Sequence, residues 1–312
     1  MTQLVTLFGG GGFLGRYLAR ELMKTGTRVR FAARRPERAW FLKPQGGLGQ
    51  TQFVAADVRR PETVERALLG ADAAVNLVGV LKGDFDAYHV DGACNVAEAA
   101  ARLGVKALVQ ISALGADPAG TSRYQRSKGE GEAAVRAAFP AATILRPSVL
   151  FGPEDGFVNL FAKLARVAPF LPVIRPQAKL QPAWVADVAR AAAQAVLDPA
   201  RHGGHTYSLG GPQVLTMAEL NRMILGWIGR DSRVWEVPDA LSQGLVSMTG
   251  WLPGAPVTAD RFQTLGQDNV VPAGAEGFAA FGIEPTPLGA VAPGWLVQYR
   301  RHGRFGLNQA AR

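Results

Sequence analysis

A single cysteine, Cys94, stands in 312 residues, so no internal disulfide can form and the chain suits a reducing compartment. No run of about 18 uncharged apolar residues occurs, so no segment has the pattern of a membrane-spanning helix. Strand-like sequence begins by Gln3; no signal or transit peptide is expected, as in a bacterial or already processed protein. Repeats and low-complexity tracts are absent. His89, His202, His205 and His302 share no metal-ligand spacing and no recognisable nucleophile partner, so they read as surface or packing residues and no metal site is expected. Acidic residues are outnumbered, leaving a net charge of +9 that favours acidic partners such as nucleic acid, anionic lipid or an acidic protein surface. The charge is not in one block, although "QYRRHGRFGLNQAAR" makes a basic C-terminal tail, read as solvated. Neither aromatic–basic interleaving nor an RNA-binding module accompanies it, so nucleic acid is not expected as a partner.

What is present is 48% apolar sequence in an alternating order. "LVTLF" reads as a buried strand, and Leu14, Tyr17, Leu18 and Leu22 then recur at helical spacing up to Gly26. "TRVRFAARR", "FVAADV", "AAVNLVG", "ALVQIS" and "AATILRP" read as further strands. "RRPETVERALLGA", "VDGACNVAEAAARLG" and "YQRSKGEGEAAVRAAF" read as the helices between them. Short connections and strict alternation predict an α/β fold, a doubly wound parallel (Rossmann) sheet. After Pro147 the rhythm breaks into Pro-rich connections and aromatic helices. The expected division is residues 1–150 as a nucleotide-binding domain and 151–312 as a smaller C-terminal lid domain, with a segment near 183–211 returning to the main sheet.

Gly9, Gly12 and Gly15 form G-x-x-G-x-x-G at the first strand-to-helix turn. There the first glycine permits a tight turn, the second lets a pyrophosphate approach the backbone, and the third lets helix pack on strand. The helix opening at Phe13 and Leu14 would face the phosphates with its free N–H groups. An acidic residue just past the second strand would hold both ribose hydroxyls of NAD; this chain has Arg34, Arg35 and then Arg38. Guanidinium groups suit a 2′-phosphate, so NADPH is the expected cofactor. Asp57, followed by Val58, sits after the third strand, where a carboxylate can accept from the adenine amine. Tyr124 and Lys128 lie four apart on one helix face, a spacing at which the cation favours the ionised phenol and proton transfer with a carbonyl or alcohol.

The glycine turn, "ADV", "VNLVG", "VDGACNVAEAA", Tyr124/Lys128 and "LRPSVLFGPE" occur in the order seen in extended and atypical short-chain dehydrogenases/reductases, which residues 3–210 resemble. The resemblance implies that Tyr124 and Lys128 lie beside the nicotinamide, with Lys128 also on its ribose. It likewise implies that Pro147 and Val149 border the nicotinamide and that Leu77, Val78 and Gly79 run beneath the ribose. "YQRSKGEGE", "FPAATILRPSVLFGPEDGFVNLFAKLA", "QPAWVADVARA" and "APVTADRFQTLGQDNVV" are similar, more specifically, to the nucleotide-binding accessory subunit of respiratory complex I. That implies a structural NADPH, other complex I subunits as partners, and a peripheral place on the cytoplasmic side of a bacterial inner membrane.

One departure bears on turnover. Catalytic extended members place Ser or Thr two positions beyond the first serine after the fifth strand; here "QISALGA" gives Ser112, Ala113, Leu114. Ser112 could replace the lost hydroxyl only if the loop shifts, so the pair is expected to persist as ribose ligands without catalysis. The alternative is a free-standing NADP-dependent reductase or sugar epimerase. Finally, "FVNLFAKLARVAPFLPVI" (157–174) is expected to be amphipathic, with Phe157, Leu160, Phe161 and Leu164 on one face and Lys163 and Arg166 on the other. Such a face packs on its own core or lies on a partner or on anionic lipid.

Overall fold

The computed structural model describes residues 3–167, 170–230, 233–238, 263, 266–301 and 303. The chain opens with β1 (Leu4–Phe8), buried at every position. Burial on both faces explains the unbroken apolar run, and its one hydroxyl, on Thr6, donates to the carbonyl of Ala67. α1 (Phe13–Lys24) buries Leu14, Leu18 and Leu22 at helical spacing, and Gly26 leaves it at φ 82°. β2 (Arg28–Ala33), a 3-10 segment over Pro36–Gln45, β3 (Thr51–Ala55), α2 (Pro61–Leu68) and β4 (Ala73–Asn76) follow. β3 starts earlier than "FVAADV" suggests, because it is the half-exposed edge strand and its apolar pattern is faint. A π-helical turn over Ala87–Asp91 leads into α3 (Gly92–Arg102), where one unbroken helix was expected. β5 (Ala107–Ile111), α4 (Arg123–Ala138) and β6 (Thr143–Pro147) complete the run. α4 begins at a capping box in which Ser122 Oγ accepts from the Gln125 N–H and the Gln125 side chain accepts from the Ser122 N–H.

Then come β7 (Leu150–Phe151), α5 (Val158–Val167), β8 (Phe170–Val173), β9 (Lys179–Leu180) and β10 (Ala183–Trp184). Asp155 sets the start of α5, its carboxylate accepting from the N–H groups of Gly152, Phe157 and Asn159 at 2.9, 2.8 and 3.1 Å. Among the described residues the 157–174 stretch is thus a helix followed by a strand, and Pro172, which suits no helix interior, lies in the strand. Its buried face is Val158, Ala162 and Ala165, whereas Leu160 (42% exposed) and Leu164 (39%) share the exposed side with Lys163 and Arg166. Phe157 and Phe161 are half-buried against the core. α6 (Val185–Leu197), α7 (Pro199–His202), β11 (Thr206–Leu209), β12 (Leu215–Thr216), α8 (Met217–Trp227), β13 (Arg233–Glu236) and α9 (Leu288–Leu296) follow among the described residues, with 3-10 segments over Phe278–Phe281 and Val297–Tyr299.

The main sheet has seven parallel strands in the order β11-β6-β5-β4-β1-β2-β3. On one face α2, α3 and Val135 of α4 bury Phe8, Ala32, Ala74 and Leu108; α1 and α6 pack together on the other. The strand order reverses between β1 and β4, and in such sheets the crevice at the carboxyl ends of the two strands takes the ligand.

Two compact units divide the chain: Met1–Pro147, Val185–Leu209 and Pro272–Glu284 in the first, Ser148–Trp184, Gly210–Val271 and Pro285–Arg312 in the second. The third segment of the first unit has no counterpart in the sequence-based division. It carries no strand alternation, and it is held by the Ser208 N–H donating to the Glu276 carbonyl (2.8 Å) and by Phe281 stacked on His202 (4.4 Å between ring centroids). In the second unit, "DNVV" acts as a clamp. Asn269 Oδ1 accepts from Ser148 Oγ (2.6 Å) and the Val149 N–H (3.2 Å), while Asp268 Oδ1 accepts from the Lys179 N–H (3.0 Å). Most of "APVTADRFQ" and the basic tail past 303 lie outside the described residues.

Candidate functional site

At the carboxyl end of β1 the chain turns sharply: Gly9 sits at φ 76°, its N–H donating to Ala32 O (3.1 Å), and the Gly12 N–H returns to Gly9 O (3.0 Å). A Cβ at Gly15 would lie 2.4 Å from Gly10 O, and one at Gly10 would lie 2.8 Å from Leu7 Cβ. Only hydrogen fits at either place, which brings α1 hard against β1. A Cβ at Gly12 would meet only Gly9 O, at 3.2 Å, so that position is open on its other sides. Gly12 is also the N-cap of α1; it offers no side-chain cap, and the first turn holds no acidic residue. The helix therefore presents the N–H groups of Phe13 and Leu14 and its positive dipole end without a competing side-chain anion, a cradle that fits a pyrophosphate.

Across the switch point, the Leu77 N–H donates to Phe8 O (2.9 Å) and the Val78 N–H to Asn76 Oδ1 (3.1 Å). A Cβ built at Gly9 would touch Val78 Cγ2 at 3.3 Å, so the two loops lie side by side. Gly79 lies against Lys128, whose Nζ is 3.4 Å from where a Gly79 Cβ would be.

At the ends of β2 and β3, Arg34 Nη1 donates to the Tyr88 hydroxyl (2.9 Å), and Arg35 precedes the 3-10 segment, exposed. Asp57 is engaged: Arg59 donates to its Oδ1 from Nε (3.1 Å) and to its Oδ2 from Nη2 (2.6 Å). This bond, with the charge beside it, holds the Asp57 carboxyl below the usual carboxylate range. Val58 is buried, and its carbonyl accepts from Asn95 Nδ2 (2.9 Å).

α4 brings Tyr124 and Lys128 to β5. Lys128 is buried and donates to Ile111 O (3.3 Å); burial lowers its ammonium to about 8 despite the raising effect of Glu132. Burial pushes the Tyr124 phenol up to about 12, the opposite of the activation that the four-residue spacing suggested. Desolvation sets the direction here. Ser112 Oγ donates to Glu132 Oε1 (2.5 Å), and Arg146 on β6 closes the group with Nε to Oε1 (2.8 Å) and Nη2 to Oε2 (2.6 Å). Leu114, where a hydroxyl was sought, is buried, its N–H donating to Pro147 O (3.0 Å). Val149 belongs to the second unit and hydrogen-bonds Asn269.

Three features were missed in the sequence. His89 is 2% exposed; its Nε2 accepts from the Val80 N–H (2.9 Å), so Nδ1 carries the proton and donates to Ser127 Oγ (2.9 Å). It stacks on Phe85 and meets Tyr124 edge-on, and burial, then Lys128, lower it to about 3. It is a packing residue, as expected, but one that joins the 77–80 loop to the Tyr124/Lys128 helix. Tyr88 gave no signal. The Glu132–Arg146 pair did: an arginine inside the strand "TILRP" needs a buried counter-ion, and Glu132 follows Lys128 at helical spacing. Among the described residues no cluster of His, Cys, Asp or Glu could hold a metal ion, and no helix is long and apolar enough to cross a membrane.

A family model described as NAD(P)H-binding matches residues 9–170. The NADH-ubiquinone oxidoreductase 40 kDa subunit of Neurospora crassa mitochondria is 31% identical, over 98% of this chain and 82% of its own length. The NADH dehydrogenase (ubiquinone) 1 alpha subcomplex subunit 9 of Arabidopsis thaliana mitochondria is 32% identical, over 97% of this chain and 80% of its own. Among solved structures, an Escherichia coli NADPH-dependent quinone oxidoreductase complexed with NADPH superposes with a TM-score of 0.76 at 24% identity, covering 94% of this chain and 99% of that one. That last likeness concerns the fold.

Proposed function

Because the chain belongs to the NAD(P)H-binding family, and along nearly its whole length to the family of the 40 kDa and alpha subcomplex 9 subunits of NADH-ubiquinone oxidoreductase, we propose that it is a NADPH-binding, non-catalytic accessory subunit of respiratory complex I. It would stabilise the junction of the peripheral and membrane arms. The observation that carries this reading is the extent of the likeness, which runs over 98% of the chain and so beyond the cofactor fold. The glycine turn and the N-terminus of α1 would hold the pyrophosphate, Arg34 and Arg35 a 2′-phosphate, and Lys128 the nicotinamide ribose.

A bound NADPH supplies hydride chemistry in this fold, and three features speak against its use here. Leu114 replaces the polarising hydroxyl, Ser112 is committed to Glu132, and the Tyr124 phenol near 12 is a poor proton donor at neutral pH. Other complex I subunits are the partners, the place is the cytoplasmic face of a bacterial inner membrane, and the exposed Leu160, Leu164 and Lys163 of α5 suit contact with anionic lipid.

The retained Tyr124/Lys128 pair favours one other reading, a free-standing NADP-dependent reductase or sugar epimerase. Affinity purification from detergent-solubilised membranes separates the two. Recovery with flavin and iron–sulfur subunits, and with NADPH bound, is expected; a soluble homodimer free of them would overturn the proposal.

A further inference from the structure

The strand ends at the adenine side hold a further arginine, Arg59, that the glycine turn, Arg34 and Arg35 do not account for. Ala33 of β2 and Ala55 of β3 are in register, so Arg34 and the Asp57–Arg59 turn leave the sheet side by side. Both guanidinium groups converge on one phenol ring: Arg34 Cζ lies 5.6 Å and Arg59 Cζ 4.8 Å from the centroid of Tyr88. Asp57 faces the two cations, and both its oxygens accept from Arg59, while Asp84 acts on Arg59 by its charge from farther off. The side chain of Asp57 is 14% exposed and that of Arg59 41%, so the acid is the buried anchor and the guanidinium the outward part. A bidentate bond fixes the plane of Arg59 and leaves N–H groups unused by it, since a guanidinium has five donors. Arg34 is held to the Tyr88 hydroxyl by one bond, from Nη1. With Asp57 bonded to Arg59 and Asp84 acting on it only through space, Arg34, Arg35 and Arg59 still outnumber the acids here, which suits a phosphate monoester rather than a ribose diol.

Resting on the reading of this chain as a NADPH-binding protein, we infer that Arg59 is a further ligand of the 2′-phosphate beside those on the β2 end, that Tyr88 is the platform setting the distance between Arg34 and Arg59, and that Asp57 positions Arg59 instead of accepting from adenine. The clamp thus spans two strands. Selectivity for a 2′-phosphorylated adenosine is shared by Arg59 with Arg34 and Arg35, and Asp57 acts through Arg59 alone.

Calorimetric titration of the full chain with 2′,5′-ADP and with 5′-AMP tests this, for the parent, Arg59→Ala and Asp57→Asn, with far-UV circular dichroism to confirm folding. The parent is expected to bind 2′,5′-ADP the more tightly. Arg59→Ala should weaken 2′,5′-ADP by roughly tenfold to a hundredfold, the effect of one charge-assisted contact, and leave 5′-AMP within about twofold. Asp57→Asn should lose several-fold in 2′,5′-ADP and nothing in 5′-AMP. Equal losses for both nucleotides in Asp57→Asn would restore the acid as an adenine acceptor and overturn the inference, as would an Arg59→Ala protein that keeps its preference. A parent that does not distinguish the two nucleotides would instead remove the NADPH reading itself, and the clamp with it. Should Arg59→Ala fail to fold, Arg59→Lys keeps the charge and loses the fork, and the same selective loss is expected of it.

Discussion

Replacing His89 with glutamine should flatten the acid limb of the stability curve. In the fold the His89 imidazole is lowered to about 3 from an ordinary value of 6.5, because it is desolvated and sits near the Lys128 ammonium. Its Nε2 lone pair is already taken by the Val80 N–H, so a proton there also breaks a hydrogen bond. The unfolded chain binds this proton more readily than the native state. The contribution is therefore complete above the unfolded value and is lost as pH falls through the window from 6.5 towards 3. Within that window the slope approaches ~1.4 kcal/mol per pH unit, so about 2 kcal/mol should disappear between neutral pH and about pH 5. Urea unfolding of the parent and of His89→Gln at about pH 7.5 and about pH 5 measures it. The glutamine protein should be the less stable at neutral pH, through lost packing against Phe85 and Tyr124. The gap between the two should shrink by about 2 kcal/mol at the lower pH. His202 is also lowered by burial, but it is common to both proteins and cancels. Parallel pH slopes would refute the reasoning.

Gly15→Ala sets a Cβ 2.4 Å from Gly10 O and should destabilise the fold by about 1–3 kcal/mol in thermal unfolding. Gly12→Val is expected to keep the fold and abolish the rise in stability with NADPH, about 2.7 kcal/mol at a hundredfold excess over Kd; a parent whose melting point ignores NADPH would refute the cradle. Glu132→Ala leaves Arg146 and Ser112 without their acceptor and should cost about 1–3 kcal/mol in chemical denaturation, whereas a loss near zero would show that the pair is solvated. Arg34→Asp should weaken NADPH roughly tenfold to a hundredfold and spare NADH by fluorescence titration; equal losses would make Arg34 a support of the fold.

The doubly wound sheet could be read from the chain because β1, β4, β5 and β6 are short, mostly apolar runs between helical stretches and α1 carries a helical apolar period. That signal is local. What it lacked was anything depending on contacts far along the chain. Pro272–Glu284 joins the first unit through Glu276 and Phe281, neither of which has a periodic neighbour. The faces of 157–174 were grouped differently because 158, 162 and 165 are as regularly spaced as 157, 160, 161 and 164; Val158, Ala162 and Ala165 are the ones buried, and Leu160 and Leu164 share the exposed side with Lys163. In the site, the glycine spacing and the Tyr124/Lys128 pair were readable, since turn and helix geometry dictate them. The environment of the pair was not: the phenol lies in a pocket built by Phe85 and His89, two residues of "DFDAYHV" that follow no pattern, and this burial reverses the effect assigned to the cation.

Tyr124→Phe puts the central claim to the test most directly. General acid–base catalysis by the phenol would make its loss cost about a hundredfold to ten-thousandfold in rate. A ribose-side contact is worth only about 1 kcal/mol, and phenylalanine keeps the ring packed on Phe85 and His89. Membranes of a strain carrying Tyr124→Phe should contain assembled complex I with unchanged NADH:quinone activity. Lys128→Ala should reduce assembly and Gly12→Val should reduce it most. Activity that collapses in Tyr124→Phe while the complex remains fully assembled would contradict the account, because the phenol would then be performing chemistry.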